Sequence, residues 1–256
     1  RHLWNPESGY MQPRGIDGDW LPCFDPLELT EKGGFCESNS AIYSHYVPHD
    51  MTGLIELYGG ADKYIERLNA NFEKSEPYGF FRSNKTKEGN YGNQPGTGMA
   101  HLFNYAGAPW LTQKWVRKVK AAYSDVTPYG GYRDDEDQGQ MGALGVLMAI
   151  GLFEVDGGCA EKPFYEITSP LFDKVTIHLD NRYYPGKTFQ IITVGNSADN
   201  MYIQRASFNG KKWNKCWFYH EDFIKGGTLE LQLGTTPNKK WGIEEFPPSS
   251  VSSDKD

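Results

Sequence analysis

Thiols are scarce in this chain. Cys23, Cys36, Cys159 and Cys216 are scattered over 256 residues without a CxxC pair. That excludes zinc-site spacing, and four is too few for a disulfide-built scaffold of this length. Long hydrophobic runs are missing too. The longest, around Leu144 to Phe153, is broken by glycines and falls short of the roughly 18 residues a membrane helix needs. No membrane span is therefore expected. Positive charge is in deficit, 26 Lys and Arg against 33 Asp and Glu, for a net charge of −7. Nucleic acid and anionic membranes are poor partners for such a chain. The opening residues, RHLWNPESGY, have neither a charged n-region nor an apolar h-region, so no targeting segment is expected here.

Aromatic residues and turn formers are abundant: 14% of the chain is Phe, Trp or Tyr, with 29 glycines and 15 prolines. Their arrangement divides the chain near residue 160. Before that point apolar residues recur at helical spacing. The stretch 51–60 reads as a short helix closed by Gly59-Gly60. In 61–75, Tyr64, Leu68 and Phe72 make one amphipathic stripe. A third helix is predicted over 109–126 with Pro109 at its start. A fourth, over 140–153, is apolar almost all round and is predicted to be buried, and a further helix is expected around 38–46. After residue 160, segments such as KVTIHLD, TFQIITVGN and TLELQLG run or alternate over strand lengths between glycine-, proline- and asparagine-bearing turns. Six or seven short strands in about 80 residues point to an antiparallel β-sandwich. The expected organisation is a mixed α and β chain: a helical segment over 1–160, a β domain over 161–245, and a disordered tail over 246–256.

Three polar loops concentrate residues able to do chemistry. The first, 34–50, holds Glu37, Asn39, His45, His49 and Asp50. The second, 90–101, holds Asn93, Gln94 and His101. The third is the acidic run Asp134-Asp135-Glu136-Asp137. Like charges so crowded repel one another, so the run is a solvated loop, a metal site, or half of a two-carboxylate site. Hydrolysis of a glycosidic bond with inversion needs one carboxyl to protonate the leaving oxygen and another, roughly 6.5–9.5 Å away, to activate water. Glu37 and the Asp135/Asp137 pair are residues of the right kind. Each has a plainer reading as well. Glu37 is a favourable charge near a helix start, His49-Asp50 a pair capping the helix from Met51, and Asn93-Gln94 support for a turn.

The ordered segments ESNSAIYSHYVPHD, GNQP, FNYAGAPWLTQKWVR, DEDQGQMGALGVLMAIGLFEV, FYEITSPLFDKVTIHL and MYIQRASFNGK resemble glycoside hydrolase family 92, over nearly the whole chain to about residue 242. The resemblance implies a calcium-dependent, inverting exo-α-mannosidase acting on terminal α-mannosides of glycans. It implies about half of a six-hairpin (α/α) toroid in the helical part, followed by the β domain. The preceding portion would come from the same protein or from a second chain. By position in the motifs, Glu37 would be the general acid and Asp135 and Asp137 the base carboxylates. Asn93, Gln94 and His49 would bind substrate, and Gln94 and Asp137 would serve calcium. Members of the family are usually exported by glycan-degrading bacteria, to the periplasm, the cell surface or the medium, a setting that would permit Cys23 and Cys36 to pair. The chain departs from the family pattern at Ser38, His45, Gln94 and Gly142-Ala143-Leu144. Gln94 replaces a Glu associated with the leaving-group subsite of α-1,2-specific members, which argues against that linkage. The alternative reading is a non-catalytic carbohydrate-binding or scaffold module derived from the family.

Overall fold

A computed structural model describes residues 2–29, 31–81, 85–123, 127, 131 and 136–249. The chain divides into two compact units, residues 1–99 with 122–135 and 249–256, and residues 100–121 with 136–248. Secondary-structure type changes near residue 160, whereas the second unit already includes the helical segments 100–121 and 136–150. Among the described residues no helix is long and apolar enough to cross a membrane.

The first unit opens with a hairpin, β1 (Trp4–Asn5) paired antiparallel to β2 (Tyr10–Met11). The hairpin is seated on α1 (Ser40–Tyr43): Met11 N–H donates to Ser44 Oγ at 2.8 Å, and Ser40 Oγ donates to the Met11 carbonyl. Then come α2 (Met51–Leu57) and α3 (Ala61–Ser75), separated by Gly59 and Gly60 in left-handed backbone. The α3 stripe behaves as its spacing predicts: Tyr64, Leu68 and Phe72 are fully buried. Phe72 meets Phe80 and Tyr91, with ring centroids 6.1 and 6.2 Å away. Burying side chains of this size stabilises by about 1.5–3 kcal/mol each.

In the second unit, α4 (Pro109–Tyr123, its last two residues belonging to the first unit) is followed by α5 (Gln140–Ile150). The helix predicted over 140–153 stops early. Gly151, at φ +80°, caps α5 through its N–H to the Leu147 carbonyl, and the chain turns directly into a strand. A Cβ at Gly151 would also meet the Pro170 ring at 2.5 Å, so glycine is required there on both counts. Burial of α5 is one-sided: Met141, Leu144 and Met148 are inside, whereas Val146 is 59% exposed.

A small sheet is ordered β3 (Leu152–Phe153), β4 (Phe164–Ile167), β9 (Trp217–Tyr219). A larger one is ordered β5 (Lys174–His178), β6 (Thr188–Val194), β10 (Gly227–Gly234), β7 (Tyr202–Phe208), β8 (Lys211–Lys212). Pairing is antiparallel as expected except between β6 and β10, which run parallel. A short α6 (His220–Phe223) leads from β9 towards β10. Phe218 of β9 touches Phe189 of β6 and Phe208 of β7, with centroids 5.5 and 5.4 Å away, so the two sheets share one aromatic core. α4 is tied to the strands and their loops by polar contacts. Ile203 N–H donates to Gln113 Oε1 at 2.8 Å, and Arg117 donates to Ser169 Oγ, Asn196 Oδ1 and the Pro170 carbonyl. Of the expected tail, Pro247 is buried and Ser249 Oγ accepts from Thr52 N–H at 3.0 Å. Residues 250–256 lie outside the described residues.

The core of the second unit holds a carboxyl group. Glu166, central in the small sheet, is fully buried and accepts from the Tyr105 hydroxyl at 2.6 Å, and His101 Nδ1 lies 3.7 Å from its other oxygen. Burial pushes its pKa up to about 8, Asp156 and Glu154 add to that, and the Tyr105 hydrogen bond opposes it. The folded state therefore binds the proton more tightly than the unfolded state. Below the ordinary value of 4.5 both states are protonated and stability is unaffected. As pH rises from there to about 8, only the unfolded state ionises and stability falls, by at most about 1.4 kcal/mol per pH unit. Glu166→Gln, which mimics the neutral acid, should flatten that part of the stability curve. Urea denaturation at several pH values checks it, and equal slopes for the two proteins would refute the assignment.

Candidate active site

The loop before α1 is shaped by side-chain amides. Asn39, fully buried, caps α1 by accepting from Ile42 N–H at 3.1 Å, and its amide nitrogen donates to the Lys87 carbonyl at 2.9 Å. Asparagine is a favoured N-cap because its short side chain satisfies a helix N–H that has no backbone partner. Two residues earlier, Glu37 has φ +53° and an exposed side chain. Left-handed backbone costs a non-glycine residue roughly 1–2 kcal/mol. It is held by Asn93, whose Nδ2 donates to the Glu37 carbonyl at 2.9 Å while its Oδ1 accepts from Gln94 N–H at 2.9 Å. The main chain of Glu37 is pinned and its carboxylate is left outward.

Asn93 sits at the entrance to a 3₁₀ turn, Gln94–Gly96, whose close packing needs glycine. A Cβ on Gly96 would lie 1.8 Å from the Asn90 carbonyl oxygen. Gln94 is exposed, and its carbonyl accepts from both the N–H and the hydroxyl of Thr97. The structure thus brings Glu37, Asn39, Asn93 and Gln94 together in the first unit. His49 is exposed, one residue before Asp50, which alone caps α2 by accepting from Gly53 N–H at 2.9 Å. His45 and His101 are both fully buried neutral histidines. Burial lowers each pKa to about 3, with Arg67 adding to the effect at His45.

The acidic run is described only from Glu136 onward; Asp134 and Asp135 lie outside the described residues. Glu136 does structural work that its sequence context did not reveal. One carboxylate oxygen accepts from Gly139 N–H and the other from Gly142 N–H, at 2.5 and 3.1 Å, capping α5. With those oxygens committed, the chain runs through Asp137, Gln138 and Gly139 at φ +56°, +58° and +101°, and Asp137 is left exposed. Three of the six non-glycine residues with positive φ among the described residues are Glu37, Asp137 and Gln138. Backbone strain of this kind gathers at functional sites. Asp137 belongs to the second unit and Glu37 to the first.

For a metal, the donors are of the right type and too few. Calcium takes about six to eight oxygen ligands, and Gln94 and Asp137 offer an amide oxygen and a carboxylate. Asn93 has both ends of its amide engaged already. Among the described residues no three His, Cys, Asp or Glu side chains gather around a common point, so these residues alone do not complete a calcium site. The cysteines are free thiols; Cys23 and Cys36 are exposed and unpaired.

A secreted glycosidase of Arthroderma benhamiae, described as uncharacterized, is 33% identical over 94% of this chain. A family GH92 α-mannosidase from Bacteroides thetaiotaomicron superposes with a TM-score of 0.84 at 30% identity over 97% of the chain. A GH92 inverting mannosidase from the same species superposes at 0.83 with 35% identity, again over 97%. The chain spans only 30% of the first protein and 31% and 34% of the two solved chains. The sequence model of the glycosyl hydrolase family 92 catalytic domain matches residues 1–235, and the chain belongs to that family.

Proposed function

We propose that this chain forms part of the catalytic domain of an exported exo-α-mannosidase that hydrolyses terminal α-mannosides of glycans with inversion. The observation that carries the reading is the Glu37 loop: in a family 92 catalytic-domain sequence, an outward carboxylate stands on left-handed backbone pinned by Asn93. The mannosidases it resembles and the fungal relative named as secreted support the substrate class and the export. In this reading the helices belong to an (α/α) toroid, the strands to a β-sandwich, and the remainder of the domain completes the sugar pocket.

Glu37 protonates the departing glycosidic oxygen. Asp137, with Asp135, takes a proton from the water that attacks the opposite face of the sugar. Asn93 acts as a positioning residue through the Glu37 main chain, while the exposed Gln94 and His49 contact substrate. Calcium, when bound, would offset the repulsion within the acidic run and help hold the sugar, with Gln94 and Asp137 among its ligands and further oxygens supplied from outside the described set.

Release of mannose from a panel of mannobioses, with calcium or with chelator, tests this for the chain alone and for a longer polypeptide carrying the rest of the domain. Chelator-sensitive release by the longer polypeptide, with little from the chain alone, is expected. Silence from both, with mannose binding retained, would make the protein a non-catalytic module. Glu37→Gln should lower turnover of unactivated mannosides by about 10²–10⁴-fold and spare binding; retained turnover would remove Glu37 as the acid. Asn93→Ala removes the pin together with the bond from Gln94 N–H, so kcat should fall while KM moves little. An unchanged kcat would show that Glu37 is held by other means.

A further inference from the structure

Glu37 adopts a backbone that non-glycine residues avoid, and the two peptides that flank it define that backbone. Its ψ depends on the peptide that follows, whose carbonyl Asn93 Nδ2 holds at 2.9 Å. Its φ, the angle at +53°, depends on the peptide that precedes, whose carbonyl belongs to Cys36. That carbonyl has a donor of its own, the Tyr43 hydroxyl at 3.1 Å. Turning the 36–37 peptide over is the direct way for Glu37 to leave left-handed backbone, and it would break this bond. The two donors come from different elements: Tyr43 is the last residue of α1, and Asn93 stands at the entrance to the 3₁₀ turn.

Tyr43 is itself held in place. Its N–H donates to the carbonyl of Asn39, the residue that caps α1, at 3.0 Å. Its ring meets that of Phe35 with centroids 5.3 Å apart, so the phenol packs against the residue just before Cys36. Burial raises its pKa, and Cys36, Glu37 and Tyr46 add to the rise. The hydroxyl therefore remains a donor at neutral and mildly alkaline pH.

We infer that Tyr43 is a second positioning residue for Glu37, holding through the Cys36 carbonyl the torsion that is strained, so that one donor fixes each flanking peptide. The inference rests on the reading of Glu37 as the general acid. Removing the hydroxyl alone should free the 36–37 peptide to turn, and the carboxyl would then spend less of its time where the proton is needed. The loss should fall on substrates whose leaving oxygen requires that proton. Substrates whose leaving group departs as a stable anion should be spared.

Tyr43→Phe, which keeps the ring against Phe35 and removes only the hydroxyl, tests this in two ways. In the full chain, the NMR signal of the Glu37 amide, the nitrogen joined to the Cys36 carbonyl, should shift. Tyr46→Phe, a hydroxyl loss three residues further on, should leave that signal alone. In the longer polypeptide carrying the rest of the domain, kcat on an unactivated mannobiose should fall about tenfold, as the loss of one hydrogen bond implies, with KM within about twofold. On dinitrophenyl α-mannoside, kcat should stay within about twofold. An unmoved Glu37 amide would overturn the clamp. Equal losses on the two substrates, or no loss on either, would overturn the positioning role. A wild-type polypeptide that releases no mannose would remove the mannosidase reading instead, and the amide signal would then decide the clamp by itself.

Discussion

A single amide, Asn93 Nδ2 on the Glu37 carbonyl at 2.9 Å, holds the residue on which the proposed chemistry depends. Glu37 sits where a side chain raises the backbone energy by roughly 1–2 kcal/mol, and one hydrogen bond returns about 0.5–1.5 kcal/mol. The margin is close enough that the neighbouring bonds matter. Asn39 supplies them, capping α1 on one side and holding the Lys87 carbonyl on the other. Both asparagines act on main-chain groups, which leaves the Glu37 carboxylate without a structural duty. A general acid needs that freedom, because a carboxylate already engaged in capping is held in its ionised form.

The acidic run shows the complementary solution. Glu136 spends its carboxylate on two N–H groups at the start of α5. Once those bonds are made, the chain must leave the helix end through two left-handed non-glycine residues before Gly139. The acids are crowded partly because one of them fastens the helix that the others precede. An acidic run that reads as a uniform patch of charge is thus a division of labour between adjacent residues.

How much of this was legible follows from which interactions are periodic. The α3 stripe of Tyr64, Leu68 and Phe72 and the strands over 174–178, 188–194 and 227–234 were readable because burial repeats with the period of the element. The end of α5 was misread because Leu152 and Phe153 continue its apolar character, and only the close approach of Pro170 to Gly151 marks the break. The parallel pairing of β6 with β10 depends on which strands meet across the sheet, which no local pattern records. Motif order singled out Glu37 and Asp137 as candidates. The bond from Asn93 spans 56 residues and leaves no local signature, and neither does the capping role of Glu136, whose two partners lie three and six residues on.

Glu166 shows what burial does to a group of the same type. Its strand has a neighbour on each side in the small sheet and its side chain is fully enclosed, so keeping it charged would require a nearby cation. The nearest candidate, His101, is itself buried and held neutral. Tyr105 supplies a hydrogen bond but no charge. With two neutral partners and the negative charges of Asp156 and Glu154 acting on it, the carboxyl is more stable protonated. Glu37 and Asp137, by contrast, are exposed residues. The backbone conformation that leaves the Glu37 side chain exposed is already present in the chain, set by the bond from Asn93.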